Sequence, residues 1–272
     1  MSVTRPENLD ETISPVSILA ASANIIMQLA RPGVGRGVVE STVDSGKVFL
    51  HPVKRARTTF TFLAVSLWGS DAERAIYREA VNTSHRQVRS TTASPVRYNA
   101  FDPDLQLWVA ACLYKGLEDV HRAMYPESAF RGGHGIYEQC HHLGTTLQVR
   151  DGMWPEDRDA FEDWWKERLA EASIDPEVRG YLTELAELRF LPSAVQLPLG
   201  GLNRFLTAGF LPPELRDEMG FEWSEDDQRR FDRVLQALGR VNRVMPLVVR
   251  KSIVHLYLTD FRLRVVLGRR LV

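Results

Sequence analysis

Residues 70–89 read SDAERAIYREAVNTSHRQVR, and this stretch decides the fold class. Ser70 and Glu73 are spaced as a capping box. The Ser70 hydroxyl can accept from the Glu73 amide while the Glu73 carboxylate reaches back to the Ser70 amide. Behind that start, Ala72, Ile76, Tyr77, Ala80, Val81, Ser84 and Val88 fall at helical spacing. Arg78, Glu79, Arg86 and Arg89 lie mostly off the stripe, as solvated groups should. The spacing predicts a helix from Ser70 to about Val88 with one buried face. His85 shares that face with Val81 and Val88, one helical turn to either side.

The helical period recurs in both directions. Upstream, a first helix is predicted from about Val16 to Ala30, stopped by Arg31-Pro32-Gly33. Residues 33–52 read as a linker with a short helix, and a second helix runs from about Val53 to Trp68, closed by Gly69. Downstream, residues 90–101 read as a loop. Asp102-Pro103 is a cap followed by a first-turn proline, and the helix it starts carries Leu105, Trp108, Val109, Cys112, Leu113 and Leu117 before ending near Tyr125-Pro126. The run Arg131-Gly132-Gly133-His134-Gly135 reads as a turn or a lid. It is not a phosphate loop, because no Gly-Lys-Ser/Thr follows. Further helices are expected after Trp154-Pro155-Glu156-Asp157, from about Pro176 to Leu188, around Asn203 to Phe210, and from Ser224 to about Val244. A final helix from Pro246 is expected to turn Val249, Ile253, Leu256, Tyr257 and Phe261 inward. Alternating strand patterns are scarce, and no internal repeat appears. The expectation is an all-α chain, one globular domain of roughly eight to ten helices over residues 1–272, with about ten flexible residues at the N-terminus.

Composition narrows the class. A chain of 272 residues that is 44% hydrophobic can bury one large core. Its 34 basic residues nearly balance its 35 acidic ones and read as dispersed, so a nucleic-acid-binding stripe is excluded. Cys112 and Cys140 allow neither a disulfide framework nor a cysteine-based zinc site, and two reduced thiols suit the cytoplasm. The start, Met-Ser-Val-Thr-Arg-Pro-Glu, lacks a basic stretch before an apolar core, so no signal peptide is read. The apolar run from Ile13 to Ala30 is interrupted by Ser14, Pro15, Ser17, Ser22, Asn24 and Gln28. That is too polar for a membrane span of roughly 20 apolar residues.

Few residues have the chemistry for catalysis. A buried imidazole is neutral and keeps a lone pair free for a metal, so His85 is either a ligand or a hydrogen-bonded core residue. Arg55 and Thr59, spaced i,i+4, share a helix face. They read either as solvated helix positions within Lys54-Arg55-Ala56-Arg57 or as an anion-pairing guanidinium beside a donor hydroxyl. Cys140-His141-His142, with Glu138 and His134, is a second cluster, but adjacent histidines point to different sides and rarely close on one metal. His121 is placed to cap a helix C-terminus. Trp108, Trp154, Trp164 and Trp165 sit at helical spacing and read as core. No nucleophile elbow, zincin helix or dinucleotide fingerprint is present.

Four stretches, taken in order, resemble the MpaB-type oxygenase family, which is related to the catalytic domain of the rubber oxygenase called latex clearing protein. They are Met27-Gln-Leu-Ala-Arg-Pro-Gly-Val-Gly-Arg-Gly-Val38, Arg55-x-x-x-Thr59 with Phe62-Leu63-Ala64-Val65 and Gly69, Asn82-x-x-His85-x-x-Val88-Arg89, and Asp102-Pro103-Asp104-Leu105-Gln-Leu-Trp108-Val109. Leu211-Pro-Pro-Glu-Leu-Arg216, Trp223-Ser224, Pro246 and Asp260-Phe261-Arg262-Leu263-Arg264 extend the likeness through most of the chain. The resemblance implies a globin-like arrangement of helices around haem b. By that likeness His85 is the axial iron ligand and Arg55 and Thr59 are the polar residues of the haem pocket, with Trp108 and Leu105 lining or supporting it. It implies dioxygen and a hydrophobic small molecule as substrates.

The chain departs from the family pattern in three places. Thr58 stands where rubber-cleaving relatives carry a lysine, Ala110 and Ala111 fall where many relatives have a histidine, and Ser90 replaces a glycine. The substrate is therefore not inherited from rubber oxygenase. The leading expectation is a haem b-dependent oxidoreductase acting on a hydrophobic or aromatic small molecule. A non-haem enzyme using the Arg55 pocket for an acidic substrate is the second reading, and a non-catalytic small-molecule binder the third. A homodimer through the first helix or the Trp-rich helix at 161–169 is a further expectation.

Overall fold

In the computed structural model, residues 9–43, 47–126 and 134–272 are described. Ten helices of eight or more residues organise them: α1 (Ala21–Leu29), α2 (Pro32–Val39), α3 (Pro52–Trp68), α4 (Asp71–His85), α5 (Pro103–Met124), α6 (Arg158–Ala170), α7 (Pro176–Ala186), α8 (Ser193–Phe210), α9 (Glu225–Val244) and α10 (Ser252–Val266). Shorter helical turns connect them, and there is no strand among the described residues. The chain is all-α. The Gly-rich run 131–133 and the N-terminal residues 1–8 lie outside the described residues, as do the side chains of His134 and Gly135.

Local signals set most helix starts. Ser70 accepts from the Glu73 amide at 3.3 Å, and the Glu73 carboxylate accepts from the Ser70 amide at 2.8 Å. Asp102 accepts from the Asp104 amide at 2.9 Å ahead of Pro103. Ser224 and Asp227 form a second reciprocal cap on α9. The first helix ends at Leu29, just ahead of Arg31-Pro32-Gly33 as expected, and Pro32 also opens α2, because a proline at the first helical position gives up an amide that had no partner anyway. Two expectations are corrected. α8 begins at Ser193, ten residues before the expected start, and contains Pro198. At its second turn that proline forgoes only one backbone bond, and packing against α7 outweighs the loss, with Asn203 donating to the Ala186 carbonyl at 2.8 Å. The C-terminal helix breaks at Lys251, and its Val249 and Leu256 point outward, 49% and 61% exposed. α10 buries Phe261 and packs Ile253 and Tyr257 against the core as expected, with Val254 and Leu258 buried in place of Leu256. Apolar residues occur on both its faces, so periodicity alone could not tell which face turns in.

α5 runs through the core and buries Leu107, Trp108, Ala110, Ala111, Cys112 and Tyr114. α1 crosses it at Gly116. A Cβ there would meet the Asn24 amide nitrogen at 2.3 Å, and Asn24 uses that nitrogen to donate to the Cys112 carbonyl at 2.6 Å. α9 packs against the same helix. A buried ion cluster joins α5 to α6: Glu118, fully buried, accepts from Arg158 at 2.6 and 3.0 Å and from Lys115 at 2.9 Å. The buried apolar cluster extends from Leu9 to Phe261.

α3, α4 and α10 form the layer that carries the candidate site. α10 packs along α3, with Tyr257 stacked on Phe60 at 5.3 Å. Tyr77 of α4 meets Phe261 edge-on at 5.9 Å and donates its phenol to the Thr58 carbonyl at 2.7 Å. Ile76, expected on the buried stripe of α4, is 42% exposed, and Tyr77 is the deeply buried residue of that helix.

Candidate functional site

α4 ends at His85. The Val88 amide then donates to the His85 carbonyl at 2.9 Å, and the chain turns into the 90–101 loop. That loop is pinned back over the turn by a bridge between Arg89 and Asn99, with the Ala100 amide donating to the Val88 carbonyl at 2.9 Å. The bridge brings Phe101 edge-on to the His85 ring, centroids 6.3 Å apart. The imidazole is half-buried rather than enclosed, but its Nδ1 is fully buried and has no hydrogen-bond partner.

Burial first, and the positive charge of Arg55 second, push the His85 pKa down to about 4. The ring is therefore neutral at neutral pH, with an available lone pair. Arg55 is exposed on the first turn of α3, and its charge also reaches Tyr77 and Tyr181. Tyr181 of α7 contacts Phe49 edge-on at 5.1 Å, and Phe49 in turn meets Phe190. Arg55 thus lies within electrostatic reach of Tyr77 and His85 of α4 and of Tyr181 of α7. Thr59 lies one turn beyond Arg55, partly buried. The neighbouring Thr58 is turned inward, with its hydroxyl donating to the Arg55 carbonyl at 3.0 Å.

Trp108 has other partners. It is 1% exposed, its indole N–H donates to the carbonyls of Met27 and Gln28 at 3.1 Å each, and its ring stacks on Trp165 at 5.0 Å. These contacts tie α5 to α1 and α6. Ala110 and Ala111 are fully buried in the core, and the Ser90 amide donates to the Tyr98 carbonyl at 2.9 Å.

The second histidine cluster is differently arranged. The His141 and His142 rings lie 4.1 Å apart, and His141 Nδ1 meets the Glu138 carbonyl. Burial drives His142 down to about 4 and the Cys140 thiol up to about 12. No group of three metal-ligating side chains occurs among the described residues. His121, expected as a charged helix cap, is buried and its pKa falls to about 4, so a neutral ring stands there and the dipole argument does not apply.

Two open cavities of about 450 and 370 Å³ lie elsewhere. The larger has Lys115, Asp119, Arg122, Trp165 and Phe231 in its walls, the smaller Arg204, Phe205 and Trp223. Neither is lined by His85, Arg55 or Thr59.

Sequence reading missed Tyr77 as a positioning residue and missed Phe49, Phe101 and Tyr181 altogether. Tyr181 lies more than 90 residues from His85 in the chain, and no local pattern links them.

Comparison with known proteins identifies the class. The chain belongs to the ER-bound oxygenase mpaB/B'/rubber oxygenase catalytic-domain family, whose family model matches residues 13–240. Among its relatives are the uncharacterized proteins Mb2261 of Mycobacterium bovis and Rv2237 of Mycobacterium tuberculosis. Each is 50% identical over 255 residues, covering 94% of this chain and all of the relative. No solved structure matches the chain.

Proposed function

We propose that the chain acts as a single helical unit that uses haem b to oxygenate a hydrophobic or aromatic small molecule with dioxygen. The observation that carries this reading is the ring of His85, which is neutral at neutral pH and whose Nδ1 is buried and unpartnered. A desolvated polar atom without a hydrogen bond costs about 1–3 kcal/mol. A ligand that bonds this nitrogen would remove that cost, and in this family an oxygenase has use for such a ligand.

In this reading His85 would hold the iron. The Phe101 edge and the pinned 90–101 loop cover part of the ring, and its burial keeps it neutral. Arg55 would pair with a propionate or with a carboxylate of the substrate, because a guanidinium bonds such groups through two parallel N–H donors. Thr59 would offer its hydroxyl to a small ligand. Trp108 would act at a distance, by holding α5 against α1. Bound there, haem supplies the dioxygen chemistry that no side chain of this chain offers.

One observation favours the second reading. No carboxylate pairs with exposed Arg55 among the described residues, so an anionic small molecule could be held without haem.

Titration of the purified protein with haem tests both. The expected result is a saturable Soret band that His85→Ala loses while its far-ultraviolet circular dichroism stays unchanged. Protein that stays colourless overturns the haem reading. In that event, an anionic ligand retained by the parent and lost by Arg55→Ala supports the second.

A further inference from the structure

The C-terminal 33 residues differ from the rest of the chain in both charge and surface. Residues 240–272 hold eight Arg and Lys against one acidic residue, Asp260, so the segment is +7 in a chain of −1. The basic residues are therefore not dispersed, as composition alone suggested. The same segment supplies ten of the nineteen large aliphatic side chains exposed among the described residues, with Val244 and Val266 each 82% exposed. Contiguous exposed apolar surface marks an interaction site, and here it is interleaved with positive charge.

The packing of α10 on α3 joins the two features. Tyr257 stacks on Phe60, Asp260 lies 3.7 Å from Arg57, and Arg270 lies near enough to Lys54 for their charges to repel. The two helices are thus antiparallel, and the end of α10 sits beside the start of α3. Leu263, Val266 and Leu267 are thereby placed at the same end of the helix pair as Leu50 and Val53, which are 56% and 82% exposed. Lys54, Arg269 and Arg270 border it. Among the described residues, Arg262, Arg264 and Lys251 pair with Glu73, Asp260 and Asp10, whereas no carboxylate pairs with these three.

We propose that this end of the helix pair docks on an anionic lipid bilayer. Charge complementarity selects the occupant. Aliphatic side chains can enter the headgroup–acyl boundary while Lys54, Arg269 and Arg270 meet lipid phosphates. A second copy of the chain would bring like charges together. The attachment is peripheral, since no helix among the described residues is long and apolar enough to cross a membrane. Arg55 directly follows Lys54, so docking would set the candidate site at the lipid surface, where an apolar substrate is concentrated. The docking stands whether or not haem binds.

Co-sedimentation of the full chain with phosphatidylcholine vesicles, with and without phosphatidylglycerol, tests this. Binding is expected only to the anionic vesicles, and it should weaken as salt is raised. Arg269→Glu with Arg270→Glu should reduce partitioning by about 30-fold or more. Val53→Ser with Val266→Ser should also reduce it, while Val195→Ser with Leu197→Ser, on an exposed face of α8, should not. All these side chains are exposed, so folding should be unaffected, which circular dichroism checks. Absence of binding to anionic vesicles, equal binding to neutral ones, or a dimer in light scattering that Val266→Ser dissociates would each overturn the proposal.

Discussion

The phenol of Tyr77 donates to the Thr58 carbonyl at 2.7 Å. This bond ties the turn of α3 that bears Arg55 and Thr59 to the middle of α4, about two helical turns before His85. Tyr77 is 1% exposed, so the lost bond would not be replaced by water. Tyr77→Phe should lower stability by about 1 kcal/mol in urea unfolding. Because the bond fixes the spacing of Arg55 and His85, the variant should also bind haem more weakly than the parent without losing it. Equal stability and equal affinity would contradict that role.

Stability should fall with acid in a defined window. His85, His121 and His142 all have folded-state pKa values of about 4 against an ordinary 6.5, with burial the leading cause in each. As pH falls through 6.5, the unfolded chain takes up protons that the folded chain refuses until about 4. Stability is therefore full above this window and declines through it. The urea midpoint should drop between pH 7 and pH 5, and by less in His85→Gln, which removes one titrating group. A midpoint that does not move over that range would show that the rings are not desolvated.

Glu118 is the strongest point of charge burial. It is fully buried and serves Arg158, Lys115 and, at 3.6 Å, Arg122. Its removal leaves Lys115 with Asp119 alone and Arg158 with Glu162 alone in a largely dry environment, so Glu118→Ala should cost about 3 kcal/mol. Arg229→Ala, which breaks exposed pairs with Glu225 and Asp226, should change stability by less than about 1 kcal/mol. Comparable losses in the two variants, measured by denaturant unfolding, would mean that Glu118 is not desolvated.

What could be read from the sequence was what neighbouring residues decide together. The caps at Ser70, Asp102 and Ser224 need only a side chain and an amide two or three residues away, and they set helix starts correctly. The start of α8 was placed ten residues late because its first turns hold Pro198, and a proline's effect depends on its position within a helix, which sequence does not show. On α10, Phe261, Ile253 and Tyr257 face the core as expected, but Leu256 faces out, because apolar residues occupy both faces of the helix. For the site, His85, Arg55 and Thr59 each sit on a local helical pattern, so they could be picked out. Their surroundings could not. Phe101 reaches the imidazole through a folded-back loop, and Tyr181 meets Phe49 and comes within reach of the Arg55 charge only after α7 packs. Trp108 was legible as a core aromatic from its spacing, and its stacking on Trp165 is of that kind.

The central claim is that His85 offers a ring nitrogen to iron. Absorption spectra of haem-loaded His85→Gly, recorded with and without free imidazole, test it most directly. The parent's Soret band should shift or vanish in the variant and return when imidazole fills the vacated space. A variant that keeps the parent's spectrum in buffer alone would contradict the assignment of His85 as the ligand.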